Sequence, residues 1–171
     1  MTDGAAEIVL ERRGALAILT FNRPAAHNAM TWAMYDGLAA ACDTVDADPE
    51  LRVLVLRGAG GKAFVAGTDI PQFQAFRTGE DGIQYEQRME RVVGRLEAVA
   101  KPTVAAIAGV AAGSGAAIAL ACDLRYCTPE SRIGVPIART LGNCLSMTNY
   151  ARLVDLLGPA APRRRSSAPG C

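Results

Sequence analysis

The sequence lacks any long run of one charge, and it has few lysines. Lys62 and Lys101 are the only lysines among 18 basic residues, and 17 acidic residues bring the formal net charge to +1. A chain without a concentrated basic patch has no electrostatic footprint for nucleic acid or for an anionic membrane. We therefore expect a small-molecule ligand, with neither nucleic acid nor membrane as a partner.

Paired-cysteine motifs and targeting segments are also missing. The five cysteines are odd in number and show no CxxC spacing, which disfavours disulfides and a zinc site. The beginning, MTDGAAEIVLERRG, is acidic and polar, and the longest apolar stretch, residues 104–121, is interrupted by glycine and serine. These features predict reduced thiols, no bound metal and a cytoplasmic location.

Half of the 171 residues are apolar, so the chain can bury a sizeable hydrophobic core. This length suits one domain or a fragment of a larger one. Apolar periodicity predicts an α/β fold. The predicted strands cover residues 7–10, 15–21, 52–57, 103–108 and 124–127, and the predicted helices cover residues 31–45, 85–99, 114–122 and 146–157. We expect the strand over 52–57 to be buried on both faces. Residues 1–158 form the predicted core, and the Pro-, Arg- and Ser-rich residues 159–171 form a predicted disordered tail.

Two glycine-rich turns, GAGGKAFVAGTDI at 58–70 and AGVAAGSGAAIAL at 108–120, each follow a predicted strand and lead into a helix. Unpaired N–H groups at such turns can donate hydrogen bonds to a polarised oxygen, and two facing turns would form an oxyanion hole. Small residues at strand ends also permit close packing without any chemical role. Neither turn fits a phosphate loop or a dinucleotide fingerprint.

Four segments in order resemble the crotonase superfamily of enoyl-CoA hydratases and isomerases: FNRPAAHNAM, VLRGAGGKAFVAGTDI, VAAIAGVAAGSGAAIALACDLRYCTPE and IGVPIARTLG. The resemblance covers roughly residues 7–158 and implies a ββα spiral that is incomplete at the C-terminus. It also implies an acyl-CoA thioester substrate, whose enolate the backbone amides of Thr68 and Ser114 would stabilise. Beyond the coenzyme A moiety it implies no cofactor, and it implies a homotrimer or hexamer if the family assembly is kept.

The same resemblance assigns the coenzyme A moiety to the first turn. Its expected contacts are Lys62, Ala63, Phe64, Ala66, Asp69 and Ile70. Lys62 would meet a phosphate or, equally, face solvent. His27 in the first loop is a weaker candidate, and its alternative is an exposed histidine without a role.

Hydratases of this family use two glutamates as general acid and base, and here those positions hold Ala117 and Ile137, which cannot transfer protons. We interpret Asp69 and Asp123 as structural acceptors. The acids of the second helix either form a solvated face or reach the substrate; they are Glu80, Asp81, Glu86 and Glu90.

Arg139, with Thr140 and Asn143, adjoins the vacated Ile137 position. A guanidinium there could bind a carboxylate on the acyl group, which suggests decarboxylation of a dicarboxylic acyl-CoA. Alternatively, Arg139 pairs with a nearby acid or faces solvent. Three hypotheses stay open: an acyl-CoA enzyme with a non-standard acid/base set, a non-catalytic acyl-CoA binder, and a truncated inactive homologue.

Overall fold

The computed structural model describes residues 6–136 and 146–158. The chain divides into two compact units, Met1–Gly134 and Val135–Cys171. The strands of the first unit are β1 (Ile8–Arg13), β2 (Leu16–Phe21), β3 (Val53–Gly58), β4 (Ala63–Val65), β5 (Thr103–Ile107), β6 (Val110–Ala112), β7 (Leu124–Cys127) and β8 (Arg132–Gly134). Its helices are α1 (Trp32–Ala47), α2 (Gly79–Glu97) and α3 (Ser114–Ala121), with short 3₁₀ helices at Pro24–Ala26 and Ile70–Ala75.

The strands form two sheets that the chain visits alternately. The larger sheet has the order β1-β2-β3-β5-β7, in which β1 and β2 are antiparallel and the other pairs are parallel. The smaller sheet has the parallel order β4-β6-β8. From β3 onward, each turn of chain adds one strand to each sheet and then a helix, as in β3-β4-α2 and β5-β6-α3. This repetition confirms the predicted ββα spiral.

Capping residues set where the two long helices begin. The Thr31 side chain accepts a hydrogen bond from the Met34 amide at 3.2 Å and so caps α1. Thr78 and Asp81 form a capping box at the start of α2. Caps of this kind typically contribute about 1 kcal/mol each. Both helices were predicted from apolar spacing, and both are confirmed.

The core is built on alternate residues of the larger sheet. Leu54 and Leu56 of β3 are fully buried in the same cluster as residues of α1, α2 and α3, whereas Val53 and Val55 are half-buried. The prediction that this strand is buried on both faces is therefore wrong. Successive strand residues point to opposite faces, and the cluster shared with the helices is built on only one of them.

The described part of the second unit contains the helix α4 (Met147–Leu157), which confirms the predicted helix at 146–157. The Ser146 side chain accepts from the Asn149 amide at 3.3 Å, and the Gly158 amide donates to the Val154 carbonyl at 2.8 Å. The predicted tail at 159–171 lies outside the described residues. Across the described ranges, none of the helices combines the length and the apolar character needed to cross a bilayer.

Candidate active site

The Thr68 amide points away from its neighbouring strand. Met30 forms a parallel bridge with Thr68, in which the Met30 amide donates to the Gly67 carbonyl at 2.8 Å and the Asp69 amide donates to the Met30 carbonyl at 2.9 Å. In extended backbone, consecutive N–H groups point to opposite sides. The Thr68 N–H therefore faces away from Met30, and within residues 6–136 and 146–158 it donates to no protein acceptor.

Ser114 opens α3, so its amide belongs to the first turn, whose N–H groups lack helical partners. The preceding Gly113 has φ 54° and ψ −117°, a conformation that residues with a side chain rarely adopt. The Gly113 amide is used in a hydrogen bond to the Gly134 carbonyl at 3.1 Å. The Ser114 amide has no acceptor among the residues the structure describes.

The two turns meet at the glycines that precede these amides. A Cβ placed on Gly113 would lie 3.7 Å from the Gly67 Cα, and one placed on Gly67 would lie 3.6 Å from the Ala112 carbonyl oxygen. Thr68 and Ser114 therefore directly follow two glycines that lie close enough for an added Cβ to make van der Waals contact. Each of the two amides thus lies one residue beyond the place where the two turns approach each other.

Hydroxyl groups surround this meeting point. The Thr68 Oγ1 lies 2.6 Å from the Tyr35 hydroxyl and 2.8 Å from the Tyr85 hydroxyl. Burial raises the pKa of Tyr35 and, to a smaller extent, that of Tyr85. Ser114 Oγ is buried close to the Tyr35 hydroxyl, but it makes no hydrogen bond within the described ranges. At neutral pH these groups keep their protons and act as donors, not as bases.

An aromatic cluster holds Tyr85 in place. The Tyr85 ring lies 5.0 Å from the Phe73 ring, 5.8 Å from Trp32 and 6.4 Å from Phe76, centroid to centroid. The Arg88 guanidinium carbon lies 5.2 Å from the centre of the Trp32 ring. Edge-to-face and cation–π contacts of this kind restrict the ring orientations beyond what burial alone does.

Arg23 ties the first loop to the first glycine-rich turn. Its guanidinium pairs with Asp69 at 3.1 Å and with Glu7 at 3.0 Å, and it donates to the Ala29 carbonyl at 2.6 Å. The Asp69 carboxylate is thus a structural acceptor, as the sequence interpretation has it. Asp123 is confirmed in the same role, because its Oδ2 accepts from both the amide and the hydroxyl of Thr103 at 2.8 Å.

The expected coenzyme A contacts divide into exposed and buried groups. Lys62, Ala66 and Ile70 are exposed, and Ile70 keeps 74% of its surface accessible. Ala63 and Phe64 are buried, and the Phe64 ring packs edge-to-face on Phe21 at 5.4 Å. At 1% and 0% exposure, Ala63 and Phe64 present almost no surface to a ligand, whether from the side chain or from the backbone.

His27 is exposed in the first loop and has φ 50°. Its carbonyl accepts the Ala66 amide at 3.1 Å, so its backbone braces the first turn.

The acids of α2 have different surroundings. Asp81 caps the helix, and Glu80 accepts from the Gln84 side chain at 3.4 Å. Glu86 is half-buried, and desolvation together with the charge of Glu90 raises its pKa. Of the vacated glutamate positions, Ala117 is buried in the core at 4% exposure. Ile137, Arg139, Thr140 and Asn143 lie outside the described residues.

Alternation of the chain between two sheets, with a helix after each pair of strands, defines a crotonase-type ββα spiral. The family profile described as Enoyl-CoA hydratase/isomerase matches residues 11–164, and the chain belongs to this family.

Individual relatives agree with this assignment. The chain is 36% identical over 129 residues to a short-chain-enoyl-CoA hydratase of Clostridium acetobutylicum, covering 75% of this chain and 49% of the relative. It is 33% identical to a crotonyl-CoA hydratase of Syntrophomonas wolfei, over 92% of this chain and 60% of the relative. The crystal structure of an enoyl-CoA hydratase/carnithine racemase from Magnetospirillum magneticum superposes with a TM-score of 0.89 at 36% identity, over 95% of this chain and 61% of that one. The chain thus spans about half to three fifths of the length of these relatives.

Sequence reasoning did not identify Tyr35 and Tyr85 as site residues. Both lie at positions of α1 and α2 whose helical spacing marks a core-facing stripe. That signal places the rings inside but says nothing about their hydroxyls, which meet at Thr68 only in the folded chain.

Proposed function

We propose that this chain binds an acyl-CoA thioester and stabilises the negative charge on the thioester oxygen when the acyl group forms an enolate. One observation carries the proposal: the amides of Thr68 and Ser114, which have no acceptor within the described ranges, directly follow two glycines whose turns approach each other closely. Preorganised donors of this type are worth about 10²–10³-fold in rate each. The family membership and the names of the relatives support the ligand class.

The coenzyme A moiety would lie along the first turn. Lys62 is exposed at the start of this turn and carries the charge needed to meet a phosphate. Ala66 and Ile70 offer exposed apolar surface beside the Thr68 amide. In this arrangement the thioester carbonyl lies at Thr68 and the nucleotide end extends toward Lys62.

The possible reactions differ in whether they need a side chain that transfers a proton. Hydration of an enoyl thioester needs a positioned acid and base, each worth about 10²–10⁴-fold, and Ala117 supplies neither. Decarboxylation of a dicarboxylic acyl-CoA needs no base, because the carbon–carbon bond to the carboxylate breaks, carbon dioxide leaves and the electron pair enters the enolate. The α-carbon then takes a proton from water. Decarboxylation is therefore the second candidate, with Arg139 proposed to hold the carboxylate, and binding without catalysis is the third.

Binding and turnover measurements on the purified chain test these proposals. We expect butyryl-CoA to bind, and turnover of crotonyl-CoA or of methylmalonyl-CoA then distinguishes hydration from decarboxylation. Arg139→Ala should reduce methylmalonyl-CoA turnover far more than it weakens butyryl-CoA binding, and equal losses would contradict the proposed role of Arg139. Failure to bind any acyl-CoA at millimolar concentration would overturn the proposed function.

A further inference from the structure

The Thr68 side chain makes hydrogen-bond contacts that the proposed role of its backbone amide does not require. Its Oγ1 lies within hydrogen-bond distance of two phenols, Tyr35 at 2.6 Å and Tyr85 at 2.8 Å. A threonine hydroxyl has two acceptor lone pairs and one proton to donate. When both phenols donate to Oγ1, they occupy both lone pairs, and the Thr68 proton has no acceptor in this chain of hydroxyls.

Both phenols carry a proton at neutral pH that they can donate to Oγ1. Tyr35 is fully buried, Tyr85 is half-buried, and the raised pKa of each phenol keeps it protonated at neutral pH. A buried hydroxyl that accepts two hydrogen bonds becomes a stronger donor, because each bond polarises the next. Ser114 Oγ, 7% exposed at the residue level and without a hydrogen bond in the described ranges, is a second hydroxyl at the same place that lacks a partner.

We propose that the Thr68 hydroxyl is a further donor to the thioester enolate oxygen, beside the Thr68 and Ser114 amides, and that Tyr35 and Tyr85 are positioning residues that orient it. Oγ1 and the amide nitrogen belong to the same residue, so a ligand oxygen at the amide lies close to the hydroxyl. This inference rests on the proposed function. It assigns the hydroxyl a role that an alanine or glycine at position 68 could not perform.

The test uses acetoacetyl-CoA, a β-keto thioester whose enolate is detected by its ultraviolet absorbance. The enolate-to-keto ratio of the bound ligand reports donors that act on the charged form, whereas the Kd of butyryl-CoA reports binding of the neutral thioester. Thr68→Val removes the hydroxyl but keeps the amide, and it should lower the ratio about tenfold or more, as expected for a lost hydrogen bond to a charged group. Thr68→Ser restores the hydroxyl and should stay within about twofold of the wild-type ratio.

Tyr85→Phe provides a second variant. Tyr85 is less buried than Tyr35, so removal of its hydroxyl disturbs the core less. Tyr85→Phe should lower the enolate ratio by about two- to tenfold and weaken butyryl-CoA binding by a smaller factor, because the neutral thioester oxygen is the weaker acceptor. An unchanged ratio in Thr68→Val, or in Tyr85→Phe if Thr68→Val does not fold, would overturn the role of the hydroxyl while leaving the proposed function intact. A wild-type chain that binds neither thioester would overturn both.

Discussion

Gly67 and Gly113 lie opposite each other across the two glycine-rich turns, close enough that a Cβ built on Gly113 would lie 3.7 Å from the Gly67 Cα. Both have positive φ, 115° and 54°, and each is followed by an amide without a protein acceptor in the described ranges. Two backbone conformations, and not two side chains, therefore create the donor pair. This explains why the chain can carry Thr68 and Ser114 at these positions, since the amide is present whatever the side chain is.

The packing of α3 on β4 gives a prediction about stability. A Cβ on Gly115 would overlap the Val65 carbonyl, whereas a Cβ on Gly94 of α2 would meet no atom within 4 Å. Gly115→Ala should lower the free energy of unfolding by about 1–3 kcal/mol, because the turn must shift to relieve the clash. Gly94→Ala should raise it by about 0.5–1 kcal/mol through helix propensity. Urea denaturation of both variants measures the difference, and equal effects would contradict the close packing.

Lys62 gives a prediction about the nucleotide end of the ligand. Lys62→Gln should weaken acetyl-CoA binding several-fold but leave acetyl-pantetheine, which lacks the phosphates, unaffected. The difference should shrink as salt is raised, because Lys62 is exposed and its ion pair is screened. Calorimetric titration with both ligands gives the two affinities. If Lys62→Gln binds acetyl-CoA as tightly as the wild type, the lysine faces solvent.

Two acids of α2 should affect stability with opposite dependence on pH. Desolvation, with the Glu90 charge, raises the pKa of Glu86 in the folded chain, so its contribution to stability is present at low pH and is lost as pH rises through the folded pKa. Hydrogen bonds from the Arg77 and Thr78 amides, together with the Thr78 hydroxyl, lower the pKa of Asp81, so its contribution is present at neutral pH and is lost as pH falls.

Glu86→Gln should therefore stabilise the chain at pH 7 and have no effect below about pH 4, near the unfolded pKa of glutamate. Asp81→Asn should destabilise it at pH 7, with a smaller effect as the pH falls below the unfolded aspartate value of about 3.9. Denaturation curves across this range provide the check. The same sign for both variants at pH 7 would show that the surroundings of one acid are described wrongly.

How much the sequence could predict depends on the range of the interactions. The helices α1 and α2 and the strands β1 and β2 follow from local apolar periodicity, and they were predicted. The strands β4, β6 and β8 have three residues each, too few for a period to be visible. They exist through pairing with one another, as between Ala63 and Val110, which a local pattern does not contain.

The candidate site divides in the same way. The glycine-rich turns are visible as sequence, and the family resemblance selected Thr68 and Ser114 within them. The hydroxyls of Tyr35 and Tyr85 reach Thr68 because α1 and α2 pack together, with Arg88 bound to Asp36 at 2.6 Å and Arg95 to Asp43 at 2.7 Å. Such a meeting of side chains from separate elements is decided by tertiary packing, so only the folded structure shows it.

The most direct test of the donor pair is the ¹³C resonance of the thioester carbonyl in butyryl-CoA labelled at that carbon and bound to the chain. Two hydrogen bonds from Thr68 and Ser114 should polarise the carbonyl and move its resonance downfield of that of the free ligand. Gly113→Ala should diminish this shift, because alanine disfavours the φ of 54° that leaves the Ser114 amide free, whereas Gly94→Ala should preserve it. A saturated complex whose carbonyl resonance equals that of free butyryl-CoA would contradict the account.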